Sequence, residues 1–134
     1  MQIKPYLFFE GRCQEAIVFY REALGAEVQM VMHFKDSPEP TSAPPGAADK
    51  VMHATLRIGE AEIYLSDGMC GGKPSFQGFS LSVSPPDDAA AQRVFAALGH
   101  GGVVNMPLAK TFFASSFGMV NDRFGVPWMV MVQG

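Results

Sequence analysis

The sequence predicts an α+β fold made of two copies of one module, each a strand, a helix and three further strands. Three observations carry this. The order of elements in the first half returns in the second. The two helical stretches superimpose at a constant offset, Ala16 on Ala90, Tyr20 on Val94, Leu24 on Leu98 and Gly25 on Gly99. Apolar runs beside them alternate residue by residue, as half-buried strands do. At 134 residues the chain is one domain, 1–134, with a first module over 1–67 and a second over 75–134.

Gln2 to Phe9 is rich in apolar and aromatic residues and ends at the turn signal Glu10-Gly11, so it reads as a strand. Cys13, Ala16, Ile17, Tyr20 and Leu24 then form one helical stripe, with Gly25 placed to cap its C-terminus. In the strand Val28 to Phe34, strict alternation puts Val28, Met30, Met32 and Phe34 on one face and Gln29, Val31 and His33 on the other. Lys35 to Asp49 holds four prolines and predicts a mobile loop. Val51 to Ile58 alternates again, with Met52, Ala54 and Leu56 toward a helix and His53, Thr55 and Arg57 on the opposite face. Gly59-Glu60 turns the chain into the strand Ala61 to Ser66, and Asp67 to Pro74 reads as a flexible connector. The connector resembles a phosphate loop only superficially, since Asp67 replaces its first glycine and Pro74 its hydroxyl residue. The second module follows as a strand from Gly78 to Val83, a helix from Asp87 to Leu98 and three apolar runs ending at Val132.

Composition excludes several functions. Hydrophobic residues make up 48% and charged residues 17%, which is ample for a core. A net charge of −3 with no two adjacent Lys or Arg residues speaks against nucleic acid. Cys13 and Cys70 are far apart in sequence and read as free thiols of a reducing cytoplasm. The apolar run Tyr6 to Phe9 is too short for a signal-peptide core or a membrane span.

Phe19-Tyr20 with Leu24-Gly25, Val51-Met52-His53-Ala54 with Ile58-Gly59, and Asn121 to Trp128 together resemble the PhnB/YjdN-like branch of the vicinal-oxygen-chelate superfamily, which includes glyoxalase I, bleomycin-resistance proteins and extradiol dioxygenases. The resemblance implies paired βαβββ modules whose curved mixed sheets pack one face on a helix and turn the other toward a cavity. Catalytic members hold a divalent Lewis-acid metal with four side chains, from the first and fourth strands of each module. Those positions fall here on Pro5, Tyr64, Gly78 and Met129, a poor set for such an ion, so no metal and no cofactor is expected. Chains of this branch are sometimes called ubiquinone methyltransferases, but no glycine-rich nucleotide loop is present to hold a methyl donor.

His53, Thr55, Arg57, Tyr64 and Met129 are the candidate ligand-binding residues. His53 is either a base or ligand contact on the cavity face or a hydrogen-bonded structural histidine. His33 either shares that face or is solvated, and His100 sits where it meets a helix dipole. In Asn121-Asp122-Arg123-Phe124-Gly125, Asp122 is expected to bond local backbone and Gly125 to supply a permissive dihedral. The nine methionines most simply fill the core, although methionine walls also suit adaptable apolar pockets. Three functions remain open. One is a homodimeric, metal-free protein that binds a small, largely apolar molecule. Another is a metal-dependent lyase, isomerase or dioxygenase with its site relocated around His53. The third is a structural or interaction role with an empty cavity.

Overall fold

The computed structural model describes residues 1–38 and 44–134. They divide into two compact units, Met1–Pro74 and Ser75–Gly134. Each unit holds one helix and one four-stranded mixed sheet, in the α+β class expected.

In the first unit the order is β1 (Tyr6–Phe8), α1 (Cys13–Leu24), β2 (Glu27–His33), β3 (Val51–Ile58) and β4 (Ala61–Ser66). The sheet runs β1-β4-β3-β2, with β1 parallel to β4 and the other pairs antiparallel. The first strand is shorter than its apolar run, because residues Gln2 to Pro5 precede the ladder and only the Pro5 carbonyl bonds to it, accepting from Tyr64 N–H at 2.9 Å. Along β3 alternation holds from His53 to Arg57 but fails at Met52, the extra residue between the His53 and Val51 pairings. Val51 is therefore fully buried in place of Met52, the residue expected on the helix side. Ala54 and Leu56 are fully buried on the side of α1, together with Leu7, Ile63 and Leu65.

Strict alternation fails in β2. Val28 pairs with Leu56 but Met30 pairs with Thr55, so Gln29 is the extra residue of a β-bulge. The phase changes there. Val28 and Val31 lie in the groove between α1 and β2, beside Ile17 and Arg21, while Met30 and Met32 join Thr55 and His53 on the other face. A second shift between Met32 and His33 sets His33 opposite Val51, away from His53. Its backbone N–H and ring instead face the Asp36 carboxylate across a single 3₁₀ turn, Phe34–Asp36. Part of the loop expected from Lys35 to Asp49, residues 39–43, lies outside the described residues. Its described flanks are tied, Phe34 N–H to the Lys50 carbonyl at 3.1 Å and Lys35 N–H to that of Ala48 at 3.0 Å.

Helix α1 ends as predicted, with Gly25 in the left-handed region at φ 65°. Its start has no side-chain cap of its own, since Arg12 stands at the N-cap. Asp67 supplies one from the end of β4. Its buried carboxylate accepts from Gly11 N–H at 2.7 Å and Cys13 N–H at 2.8 Å through Oδ1, and from Val51 N–H at 2.9 Å through Oδ2. The flexible connector therefore does not begin at Asp67, which is locked to α1 and β3 at once.

The second unit repeats the plan with β5 (Leu81–Val83), α2 (Asp88–Gly99), β6 (Val103–Ala109), β7 (Ala114–Asn121) and β8 (Pro127–Gln133), in sheet order β5-β8-β7-β6. Here Asp87 caps the helix itself, accepting from Ala90 N–H at 2.8 Å. Gly99, the counterpart of Gly25 by offset, is still helical, and His100 is the C-cap, its carbonyl accepting from the Arg123 guanidinium. On the helix side lie Val120, Trp128 and Val130, all buried. Gly118 is glycine for a visible reason. A Cβ there would stand 2.6 Å from the Phe95 ring and 3.0 Å from the Leu108 Cα.

The turn from β7 to β8 is built on Asp122. Its Oδ1 accepts from Phe124 N–H at 2.9 Å and Val126 N–H at 3.0 Å, and its Oδ2 from the Trp128 indole N–H at 2.8 Å. Gly125 turns at φ 91°. The expected role for this motif is the observed one, with the indole as an added partner.

None of the nine methionines belongs to the buried core, which is instead Leu, Ile, Val, Ala and aromatic residues. The expectation that they fill it is overturned, and the reason lies in strand phase. Met30 and Met32 stand on the face of the first sheet turned away from its helix, and Met106, Met119, Met129 and Met131 on the same face of the second.

Candidate functional site

The face of the first sheet turned away from α1 carries a connected set of rings. Parallel pairing sets Tyr6 beside Tyr64, and antiparallel pairing sets Tyr64 beside Thr55 and Thr55 beside Met30, one row across four strands. Further along the same face, toward the C-terminal end of β1, Phe8 pairs with Ser66 and His53 with Met32.

His53 links these pairs to that row. Its Nδ1 lies 2.7 Å from the Tyr6 hydroxyl and its Nε2 3.2 Å from the Thr55 hydroxyl. Around it the Tyr6 ring stacks on Phe8 at 4.9 Å and meets Tyr64 edge-on at 5.5 Å, and the Tyr64 ring lies 5.1 Å from the imidazole. Burial among these rings lowers the His53 pKa below its ordinary value and raises that of Tyr6, so both stay neutral at pH 7. A neutral imidazole has one N–H and one lone pair. Either it accepts from Tyr6 and donates to Thr55, or both bonds run the other way. In both cases the cluster is an uncharged relay with a hydroxyl at each end.

Charge is held at the rim. Glu27, Arg57 and Glu62 form a further row, with Arg57 on Glu27 at 2.5 Å, and Lys4, ahead of β1, reaches Glu62 at 2.5 Å. Arg57 thus shares the strand face of His53 but spends its charge on Glu27. Lys4 also lies 5.3 Å above the Tyr64 ring. Met129, the remaining candidate, is on the second sheet, where it pairs with Ser82 and Met119.

Sequence reasoning missed Tyr6 and Phe8 as members of this face. Only the parallel pairing of β1 with β4, which joins Tyr6 to Tyr64 at a separation of 58 positions, brings them in. No local spacing announces it.

The four positions implied for a metal do not form a ligand set. Pro5 contributes only its carbonyl, already engaged by Tyr64 N–H, and Gly78, at φ 79°, precedes β5. Tyr64 offers a phenol and Met129 a thioether. Among the described residues no three His, Cys, Asp or Glu side chains converge. These donors do not fit a hard or borderline divalent ion.

Against known proteins, the model of the family described as 3-demethylubiquinone-9 3-methyltransferase matches residues 1–131. Protein YjdN of Escherichia coli K12 is 36% identical over 140 residues, covering 98% of this chain and 95% of its own. This chain belongs to the PhnB/YjdN-like family. Among solved structures, PA1353 of Pseudomonas aeruginosa superimposes with TM-score 0.88 at 43% identity, over 99% of this chain and 98% of that one. A PhnB protein of Bacillus cereus gives 0.83 at 27%, over 98% and 99%. A glyoxalase/bleomycin-resistance/dioxygenase domain of Frankia gives 0.67 at 16%, over 99% and 95%, a likeness of fold alone. No helix among the described residues is long and apolar enough to cross a membrane.

Proposed function

We propose that this PhnB-like protein binds a small, largely apolar molecule against the open face of its first sheet, without a divalent metal. The observation that carries the reading is the Tyr6–His53–Thr55 relay set among half-exposed rings. Tyr6 and Phe8 are 42% and 48% exposed, more than a filled core leaves. Such a wall suits a ligand with an apolar body and one carbonyl or hydroxyl oxygen, which the relay meets without transferring net charge. A quinone has this character, and the family's descriptive name contains one. Methyl transfer is not part of the proposal, because the chain offers no glycine-rich loop for a methyl donor.

The test is titration of a short-chain ubiquinone, followed by thermal shift and by chemical shifts of the His53 ring. Binding in the native protein that weakens about tenfold or more in a Tyr6→Phe, His53→Ala variant supports the reading. No binding, or binding indifferent to that pair, overturns it. We further propose a homodimer in a reducing cytoplasm. Support comes from the exposed apolar residues Val103 (61%), Phe112 (100%) and Phe113 (47%) and from two free thiols. Light scattering at 14.5 kDa rather than twice that mass would contradict the dimer.

A further inference from the structure

The open face of the second sheet carries different chemistry. Met119 on β7 stands directly opposite Met106 on β6 and directly opposite Met129 on β8, so three methionines form one row across three neighbouring strands. Directly opposed residues on one face have Cβ atoms about 4.5–5.5 Å apart. Each sulfur lies two bonds beyond Cβ on a chain with three rotatable bonds, so three thioethers reach a common point above Met119 without moving backbone. None of the three is sealed in the core. Met106 is 45% exposed, and Met119 and Met129 are half-buried. Met131 follows two residues along β8, opposite Phe117. The polar neighbours are neutral, an Asn105–Asn121 amide pair and Ser82.

We propose that Met106, Met119 and Met129 form a binding site for a soft monovalent cation of the Cu(I) type. Thioether sulfur is a neutral, polarisable donor that favours Cu(I) over hard or borderline divalent ions. Nothing in the row offers a carboxylate or imidazole that would recruit zinc or manganese instead. The site differs from the superfamily's divalent centre in its ion and its donors, and it draws on β6 and β7. It is independent of the ligand reading for the first sheet.

The probe is Ag(I), which shares the preference of Cu(I) for sulfur and needs no reductant. Cys70 is half-buried and would compete, so the measurement uses full-length protein carrying Cys70→Ser; Cys13 is fully buried. Native mass spectrometry and methionine-methyl NMR would follow the titration. The expected result is one silver per chain, with methyl shifts confined to Met106, Met119 and Met129. Met119→Leu keeps the volume but removes the central sulfur and should weaken binding at least about tenfold. Met32→Leu, on the other sheet, should leave it unchanged. Unaltered Trp128 fluorescence would certify that each variant is folded. If the Cys70→Ser protein takes up no silver, or if Met119→Leu and Met32→Leu behave alike, the row is only an apolar surface and the proposal fails.

Discussion

Asp122→Asn is the substitution whose consequence follows most directly from geometry. The native carboxylate serves three buried donors, Phe124 N–H and Val126 N–H on Oδ1 and the Trp128 indole on Oδ2. An asparagine side chain can keep an oxygen at the Oδ1 position, but its NH₂ then points at the indole N–H, donor against donor. One unsatisfied buried donor costs about 1–3 kcal/mol, and Asp122→Asn should lose about that much. Asp122→Ala strands all three, with a floor near ~3 kcal/mol even at the low end of that range. Against a total of about 5–15 kcal/mol for a domain, the alanine variant sits near its folding limit. Urea unfolding followed by far-ultraviolet circular dichroism measures both, with an unchanged m-value as the check that only stability moved. Trp128→Phe adds a discriminating cycle. In the native background it removes a donor and leaves Oδ2 short of a partner, whereas in the Asp122→Asn background it removes the conflict, so the phenylalanine change should cost less there. Asp122→Asn within about 0.5 kcal/mol of native, with no coupling to Trp128, would refute the account.

Three further outcomes are expected. Asp67→Asn should destabilise the first unit by about 1–3 kcal/mol, because the new amide NH₂ must face either Val51 N–H or the pair Gly11 and Cys13; amide hydrogen exchange should show early opening at the start of α1. Gly118→Ala should cost about 1–3 kcal/mol by overpacking, since one of the atoms it meets is the Leu108 backbone; a neutral effect on the urea midpoint would show that β6 yields. For His53 the folded pKa is below the unfolded 6.5, so the unfolded chain binds the proton first. Stability is then fully present above about pH 6.5 and lost as pH falls through the folded pKa, and His53→Gln should flatten the dependence of melting temperature on pH between about 7 and 5. A parallel fall in both proteins would place the titration elsewhere.

The sequence made local order readable and left non-local partners hidden. The helical stripe from Cys13 to Leu24, the Gly25 cap, the β3 alternation from His53 to Arg57 and the Asp122 turn are all written within a few residues, and all appear where expected. The bulge at Gln29 is not, because nothing distinguishes Gln29 from any exposed strand residue until β3 is laid beside it. One extra residue then changed the face of Val28 relative to Met30. Asp67 looked like the first residue of a linker because its donors, Gly11, Cys13 and Val51, lie 16 to 56 residues away. The methionines were misassigned for a related reason. Hydrophobicity says that a side chain leaves water, but only strand pairing says which side of a sheet it leaves by.

In both units the helix-facing side is constrained by close packing, Leu56 and Leu65 against α1 and Val120, Trp128 and Val130 on the side of α2. A change of volume there costs stability directly. The opposite side answers to no helix, and because strand side chains alternate, a substitution at His53 or Met119 leaves the packed side untouched. One module could therefore come to carry tyrosine, histidine and threonine in a neutral relay while the other collected thioethers, with the fold indifferent to both. The same decoupling lets residues of the open face change without losing the architecture. Tyr64 and Met129 still hold their strand register with Tyr6 and Ser82, since register is fixed by backbone pairing and the packed face, not by what the open face binds.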